Sequence, residues 1–175
     1  TSGALTALNG KFVCETLPAS GIKPPPSVNV DWSKIPNLDI PTTGDTVNVI
    51  EVVPDQIFTR RLSLKPSQKE GKFVSDPDQD VLKMAVIERH HGTGSHAVAF
   101  INGFGLKSGA IASSVAHDSH NIIVVGQNDE DMMIAARAIE SIGGGMVVAD
   151  NSRIVAQLPL PIGGLMSDQP IDKVQ

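Results

Sequence analysis

The stretch from Ile122 to Leu158 constrains the fold more than any other part of this chain. Ile122-Ile123-Val124-Val125 is a short β-branched run of the kind that forms a buried strand. Asn128 stands where an N-cap belongs, and Asp129, Glu130 and Asp131 follow in the first turn, where carboxylates meet the positive end of the helix dipole. Met132, Ala135, Ala136, Ile139 and Ile142 then fall on one apolar stripe, and Gly143-Gly144-Gly145 ends the helix. Met146 to Ala149, a turn at Asp150-Asn151 and Arg153 to Leu158 read as a hairpin. The unit is strand, helix, strand, strand.

Upstream, the apolar pattern predicts strands over Val47–Val53, stopped by Pro54, and over Ile57–Leu64. An acidic turn over 75–80 leads to further strands at Val81–Arg89 and Ala97–Ile101. Interleaved strands with few helices predict an α+β domain around a mixed sheet. Six of the twelve prolines fall in the first 46 residues, with Pro24-Pro25-Pro26 the densest patch. Residues 1–45 therefore read as an extended, proline-rich connector, partly polyproline II, ahead of a domain over 46–175. Asn9-Gly10 followed by Lys11-Phe12-Val13 suggests a hairpin whose second strand has no obvious partner in the tail.

Composition excludes several functions. The net charge of −5, with Lys and Arg dispersed, argues against a nucleic-acid partner, which needs a basic face. Cys14 is the single cysteine, so neither an intrachain disulfide nor a cysteine zinc site can form, and a reducing cytoplasm is the expected location. The N-terminus shows neither a signal peptide nor a membrane span, so no membrane partner is expected.

All five histidines fall between positions 90 and 120: His90-His91, His96, and His117-Asp118-Ser119-His120. Such crowding suggests a shared metal, proton or partner. His117 and His120, three apart, are the candidate metal pair, with Asp118 as a ligand or as the group that orients an imidazole. The alternative is a structural network in which the imidazoles hydrogen-bond backbone. No H-E-x-x-H or Cys-x-x-Cys motif accompanies them. Glu88-Arg89 reads as an acid/base pair or, more simply, as a surface ion pair. Gly103-Phe104-Gly105 with Gly109 misses the dinucleotide spacing, and Leu106 stands where a phosphate loop needs glycine before Lys107. Ser113-Ser114 lacks a nucleophile elbow.

Longer motifs carry a resemblance. Glu88-Arg89-His90-His91-Gly92-Thr93-Gly94, Gly103-Phe104-Gly105-Leu106, and the run Gly109-Ala110-Ile111-Ala112-Ser113-Ser114 through His117-Asp118-Ser119-His120-Asn121-Ile122 resemble the C-terminal region of bacterial adenine deaminases. Asn128 to Met132, Gly143 to Gly145, Leu158 to Ile162 and Gly164 to Asp168 fit as well. The resemblance runs from about Thr46 to the C-terminus.

It implies a metal-dependent amidohydrolase of purine salvage, in which metal-bound hydroxide attacks C6 of adenine to give hypoxanthine and ammonia, with manganese or iron as the divalent cofactor. The family's barrel, carrying an H-x-H pair and the other main ligands, would precede residue 1. No H-x-H occurs here, and 175 residues are too few for a barrel of about 250. The zinc deaminase pattern, H-x-E with P-C-x-x-C, is also missing. The expectation is therefore a companion domain without a barrel, inactive alone, with residues 1–45 contributing a strand to a small β-domain. Its partners would be the amidohydrolase barrel, adenine as the parent's substrate, and further copies in a homo-oligomer. Glu88, His90, His91, His117, Asp118, His120 and Asn121 would form a polar cluster facing the barrel mouth. The competing expectation is a packing or oligomerisation module whose histidines are structural.

Overall fold

A computed structural model describes Gly3, residues 5–13 and residues 25–174. Its strands are β1 (Ala7–Leu8), β2 (Lys11–Phe12), β3 (Ile40–Pro41), β4 (Val47–Val52), β5 (Thr59–Leu64), β6 (Gln68–Lys69), β7 (Lys72–Phe73), β8 (Val81–Ile87), β9 (His96–Asn102), β10 (Ala110–Ser113), β11 (Ile122–Gly126), β12 (Gly145–Asp150) and β13 (Arg153–Pro159). The helices are α1 (Asp129–Ser141) and the short α2 (Ile171–Val174). Eight strands form an open sheet in the order β13-β12-β10-β11-β8-β9-β4-β5. Seven antiparallel and parallel pairings build it, and β4 against β9 is the parallel one, so the sheet is mixed, as expected. No barrel closes. The α+β class holds.

One face of the sheet is thoroughly covered. Ala85, Ile87, Ala112, Val124 and Val147 are solvent-free and pack with Met132, Ala135, Ala136 and Ile139 of α1. The helix forms as its sequence dictates: the Asn128 side chain accepts from the Asp131 amide at 2.8 Å. Gly143 and Gly144, both at positive φ, turn the chain back. At the other end of this face, the small sheet β3-β7-β6 supplies Phe73, which packs with Val49, Val81 and Phe100.

Two expectations need correction. Residues 27–41 are not a tail. Val28, Ile35 and Leu38 are buried in the main core, and the Trp32 indole donates to Glu140 of α1 at 2.6 Å. Proline removes amide donors but does not stop the apolar residues between prolines from packing. Residues 14–24, including Cys14 and Pro24, lie outside the described residues; Pro25 and Pro26 carry no regular structure. The strand at Lys11 also has its partner, Ala7–Leu8, across an Asn9-Gly10 turn with φ of 52° and 74°. Further along, β5 begins at Thr59, because Ile57 and Phe58 are exposed. Among the described residues no helix is long and apolar enough to cross a membrane.

Candidate functional site

The site is built where β8 ends. Successive residues leaving a strand point to opposite sides, so Glu88 and Arg89 diverge and do not pair, contrary to the surface ion pair expected. Glu88 turns onto the loop that follows it. Its carboxylate accepts the backbone N–H of His90, of His91 at 2.7 Å and of Thr93 at 3.1 Å, and the Thr93 hydroxyl at 2.8 Å. Partial burial pushes the Glu88 carboxyl up, but those hydrogen bonds outweigh it and hold the group at about 2.

Arg89 goes inward and is 1% exposed. Its guanidinium donates to the carbonyls of His120, Ser27 and Gly163. Burial lowers its pKa from the usual arginine value. Carbonyl oxygens, rather than a carboxylate, solvate this buried charge. Three separate segments are thereby tied to one side chain. The segment at Ser27 is further fixed by the Asn29 amide donating to the Arg89 carbonyl at 2.7 Å. Gly164 permits the third contact, since a Cβ there would sit 2.8 Å from a guanidinium nitrogen.

Around this knot lies a shallow cleft of about 310 Å³, lined by Pro26, Ser27, Asn29, Arg89, His90, His120, Gly163 and Leu165. His90 and His120 both line it. The His90 Nε2 lies 3.0 Å from the Ser119 carbonyl, which makes that nitrogen the protonated donor. His120 is held at φ 48°, its amide bonded to the Ala116 carbonyl at 2.7 Å. The His120 Nδ1, the Asn121 Oδ1 and the Ser27 Oγ are buried and find no hydrogen-bond partner among the described residues.

The other candidates lie outside the cleft. His91 is exposed. His117 and Asp118 pair at 3.0 Å with side chains 95% and 93% exposed. The His117 and His120 rings are 6.5 Å apart, edge to face. His96 bonds the Gly94 carbonyl at 3.0 Å. Among the described residues no group of three His, Cys, Asp or Glu side chains is placed to hold a metal ion. The described residues therefore do not by themselves make a divalent-metal site.

The glycine loop is structural. Its Gly103 and Gly105 amides donate to the Asp80 carboxylate at 2.9 and 2.7 Å, which leaves no phosphate cradle. The Ser114 hydroxyl is fully buried, donating to the Gly164 carbonyl at 2.6 Å and accepting the Gly145 amide at 2.7 Å. It is a tie between loops, not a nucleophile.

Comparison with known proteins bears on what such a site serves. The family described as the adenine deaminase C-terminal domain matches residues 56–175. The chain belongs to this family. It is 47% identical over 161 residues to an adenine deaminase of Desulfatibacillum aliphaticivorans, covering 89% of this chain and 28% of that protein. It is 42% identical to an adenine deaminase of Bacillus pumilus, covering 97% of this chain and 30% of the relative. For that of Methanothrix thermoacetophila the figures are 50%, 77% and 24%. This adenine deaminase C-terminal domain thus spans under a third of each relative's length.

Ser27, Asn29 and Gly163 are site residues that sequence reasoning missed, and Arg89 was read there only as half of an acid/base or ion pair with Glu88. The available signal was the glycine pair at 163–164, which needs a reason for two consecutive positive φ values.

Proposed function

We propose that this domain serves an enzyme that hydrolyses adenine to hypoxanthine and ammonia, a cytoplasmic reaction of purine salvage. In that reaction C6 of the purine gains an oxygen from water and loses its amino group. The observation that supports this reading is family membership over residues 56–175. Divalent manganese or iron would supply water activation when bound, on an amidohydrolase barrel in the part of the relatives' length that this chain does not span. No step is assigned to a metal held by this chain.

Within this reading the domain contributes the cleft. Glu88 braces the 90–93 loop, Arg89 fixes the carbonyls of His120, Ser27 and Gly163, and His90 and His120 present imidazoles at the cleft edge. These groups face the barrel mouth and hold the substrate side of the domain contact. His117, Asp118 and His91 are exposed outside the cleft, and Asn121 follows His120 in the chain.

The test is alanine substitution of His120 and, separately, of His117 in the full-length enzyme. His120→Ala is expected to lower kcat/KM about tenfold, equivalent to about 1.4 kcal/mol of transition-state stabilisation; His117→Ala is expected to stay near the parent value. Unchanged turnover, metal content and stability in His120→Ala would remove the site. Ammonia release from adenine by the 175-residue chain alone would overturn the division of labour.

A further inference from the structure

The lining of the Arg89 cleft restricts what can occupy it. No Asp, Glu or Lys lines it, and its one arginine is 1% exposed and donates to three carbonyls. A phosphate or carboxylate entering the cleft therefore meets no accessible cation. At about 310 Å³ the cleft is at the small end of small-molecule sites. Pro26 and Leu165 give it apolar surface, and His90 and His120 add imidazole rings. This lining suits a small neutral heterocycle rather than a nucleotide. Asn29 adds an edge that can read one. Its backbone N–H donates to the Arg89 carbonyl at 2.7 Å, which fixes the residue in the cleft wall. One side-chain N–H donates to the His90 carbonyl at 3.3 Å. A carbonyl only accepts, so this contact decides which end of the amide is nitrogen; turned over, the amide would set oxygen against oxygen. The other Nδ2 hydrogen and Oδ1 have no partner among the described residues and are left for a ligand.

We infer that this cleft binds a purine base and that Asn29 reads its C6 edge, favouring adenine over hypoxanthine. The choice of a purine rests on the deaminase reading above. Adenine presents an amino donor at C6 beside a ring-nitrogen acceptor, N1 on one side and N7 on the other. The Asn29 amide is the complement of either pair: Oδ1 accepts the amino N–H and Nδ2 donates to the ring nitrogen. Hypoxanthine carries O6 in place of the amino group. Its N1 edge shows an acceptor beside a donor, the reverse order, and its N7 edge shows two acceptors. Either edge sets O6 against Oδ1 unless the amide turns over, and turning over loses the His90 contact. A bidentate pairing of this kind discriminates between bases by about tenfold or more. The cleft thus holds the substrate of the proposed reaction and releases its product, and the His90 backbone sets the sign of that preference.

Titration of the 175-residue chain with adenine and with hypoxanthine, followed by proton–nitrogen NMR, tests the inference. Adenine is expected to shift the Asn29 side-chain amide and the His90 and His120 resonances saturably, and hypoxanthine to bind about tenfold more weakly. Asn29→Leu, which removes both contacts, and Asn29→Asp, which keeps the shape but replaces the donor, are each expected to erase that preference while keeping the parent's far-UV circular dichroism. Equal binding of the two bases, or an Asn29 amide that adenine does not shift, overturns the inference. In the full-length enzyme, Asn29→Leu is expected to raise KM for adenine about tenfold and to shift the Ki of hypoxanthine by less; unchanged KM and Ki overturn it as well. The two readings fail separately. A full-length parent that releases no ammonia from adenine sinks the deaminase reading, whereas the NMR preference for adenine stands or falls without turnover.

Discussion

Arg89 and Glu88 show how two neighbouring charges acquire different tasks from strand geometry alone. The arginine is a buried cation whose hydrogen bonds end on carbonyls of three segments. Truncating it leaves those carbonyls facing a cavity, and hydrogen bonds to charged groups contribute about 1.5–3 kcal/mol each. Arg89→Ala is therefore expected to lose on the order of 3 kcal/mol or more, read as a shift in the urea midpoint. Arg89→Lys, with one ammonium in place of a planar fork, should recover only part of it. Glu88 makes a pH prediction. Hydrogen bonds hold its carboxyl at about 2 in the folded chain, against the ordinary glutamate value of 4.5. A depressed carboxyl stabilises the fold above its unfolded value, and that contribution is lost as pH falls from 4.5 through 2. Glu88→Gln is expected to flatten the acid limb of the stability profile in this window and to leave the profile above it parallel to the parent's. At this scale the sequence marked the histidine window and Arg89 beside it, but not that the arginine is buried. A buried cation satisfied by backbone carbonyls has no partner residue to betray it in the sequence.

At the scale of elements, α1 was legible because its signals agree: an N-cap, acids in the first turn, one apolar stripe and a glycine stop. Asn128→Ala removes the side-chain acceptor of the Asp131 amide and should cost about 1 kcal/mol, measured by thermal or urea unfolding. Strand β10 was not legible. Ala110-Ile111-Ala112-Ser113 is short and small, with none of the alternation of large apolar and polar residues that marks a strand. Its smallness is what its position demands. β10 lies between β11 and β12 directly beneath α1, where Ala110 and Ala112 are solvent-free. Gly109, just before it, would place a Cβ 2.4 Å from the Ala149 carbonyl. Close approach selected residues that carry no periodic signal. The cleft inherits this dependence, since β10 leads into the loop that carries His117 and His120.

For the whole molecule, the proline-rich start is where composition and packing part company. Prolines at 24–26, 36 and 41 read as a connector, because the backbone they impose makes few ladder hydrogen bonds. Residues 27–41 instead run as a strap across the main core, with one 3-10 turn at Trp32–Lys34 and a two-residue ladder at Ile40–Pro41, held chiefly by side chains at Val28, Ile35 and Leu38. Only tertiary context distinguishes a strap from a tail: Val28, Ile35 and Leu38, seven and three apart, fall at a helical spacing that Pro36 between them forbids. The strap matters to function because its first residues, Ser27 and Asn29, form one wall of the cleft. Leu38 is fully buried, so Leu38→Ala should cost about 2–5 kcal/mol, the range for emptying a core leucine site. The single tryptophan supplies the readout. Trp32 bonds Glu140 at 2.6 Å and lies 4.8 Å from the Arg137 guanidinium, so its emission reports whether the strap is docked on α1. If the strap folds with the sheet, the tryptophan and far-UV transitions of Leu38→Ala coincide at a lower denaturant midpoint. A tryptophan transition that moves while the far-UV transition stays at the parent midpoint would instead make the strap an independently detaching wall of the cleft.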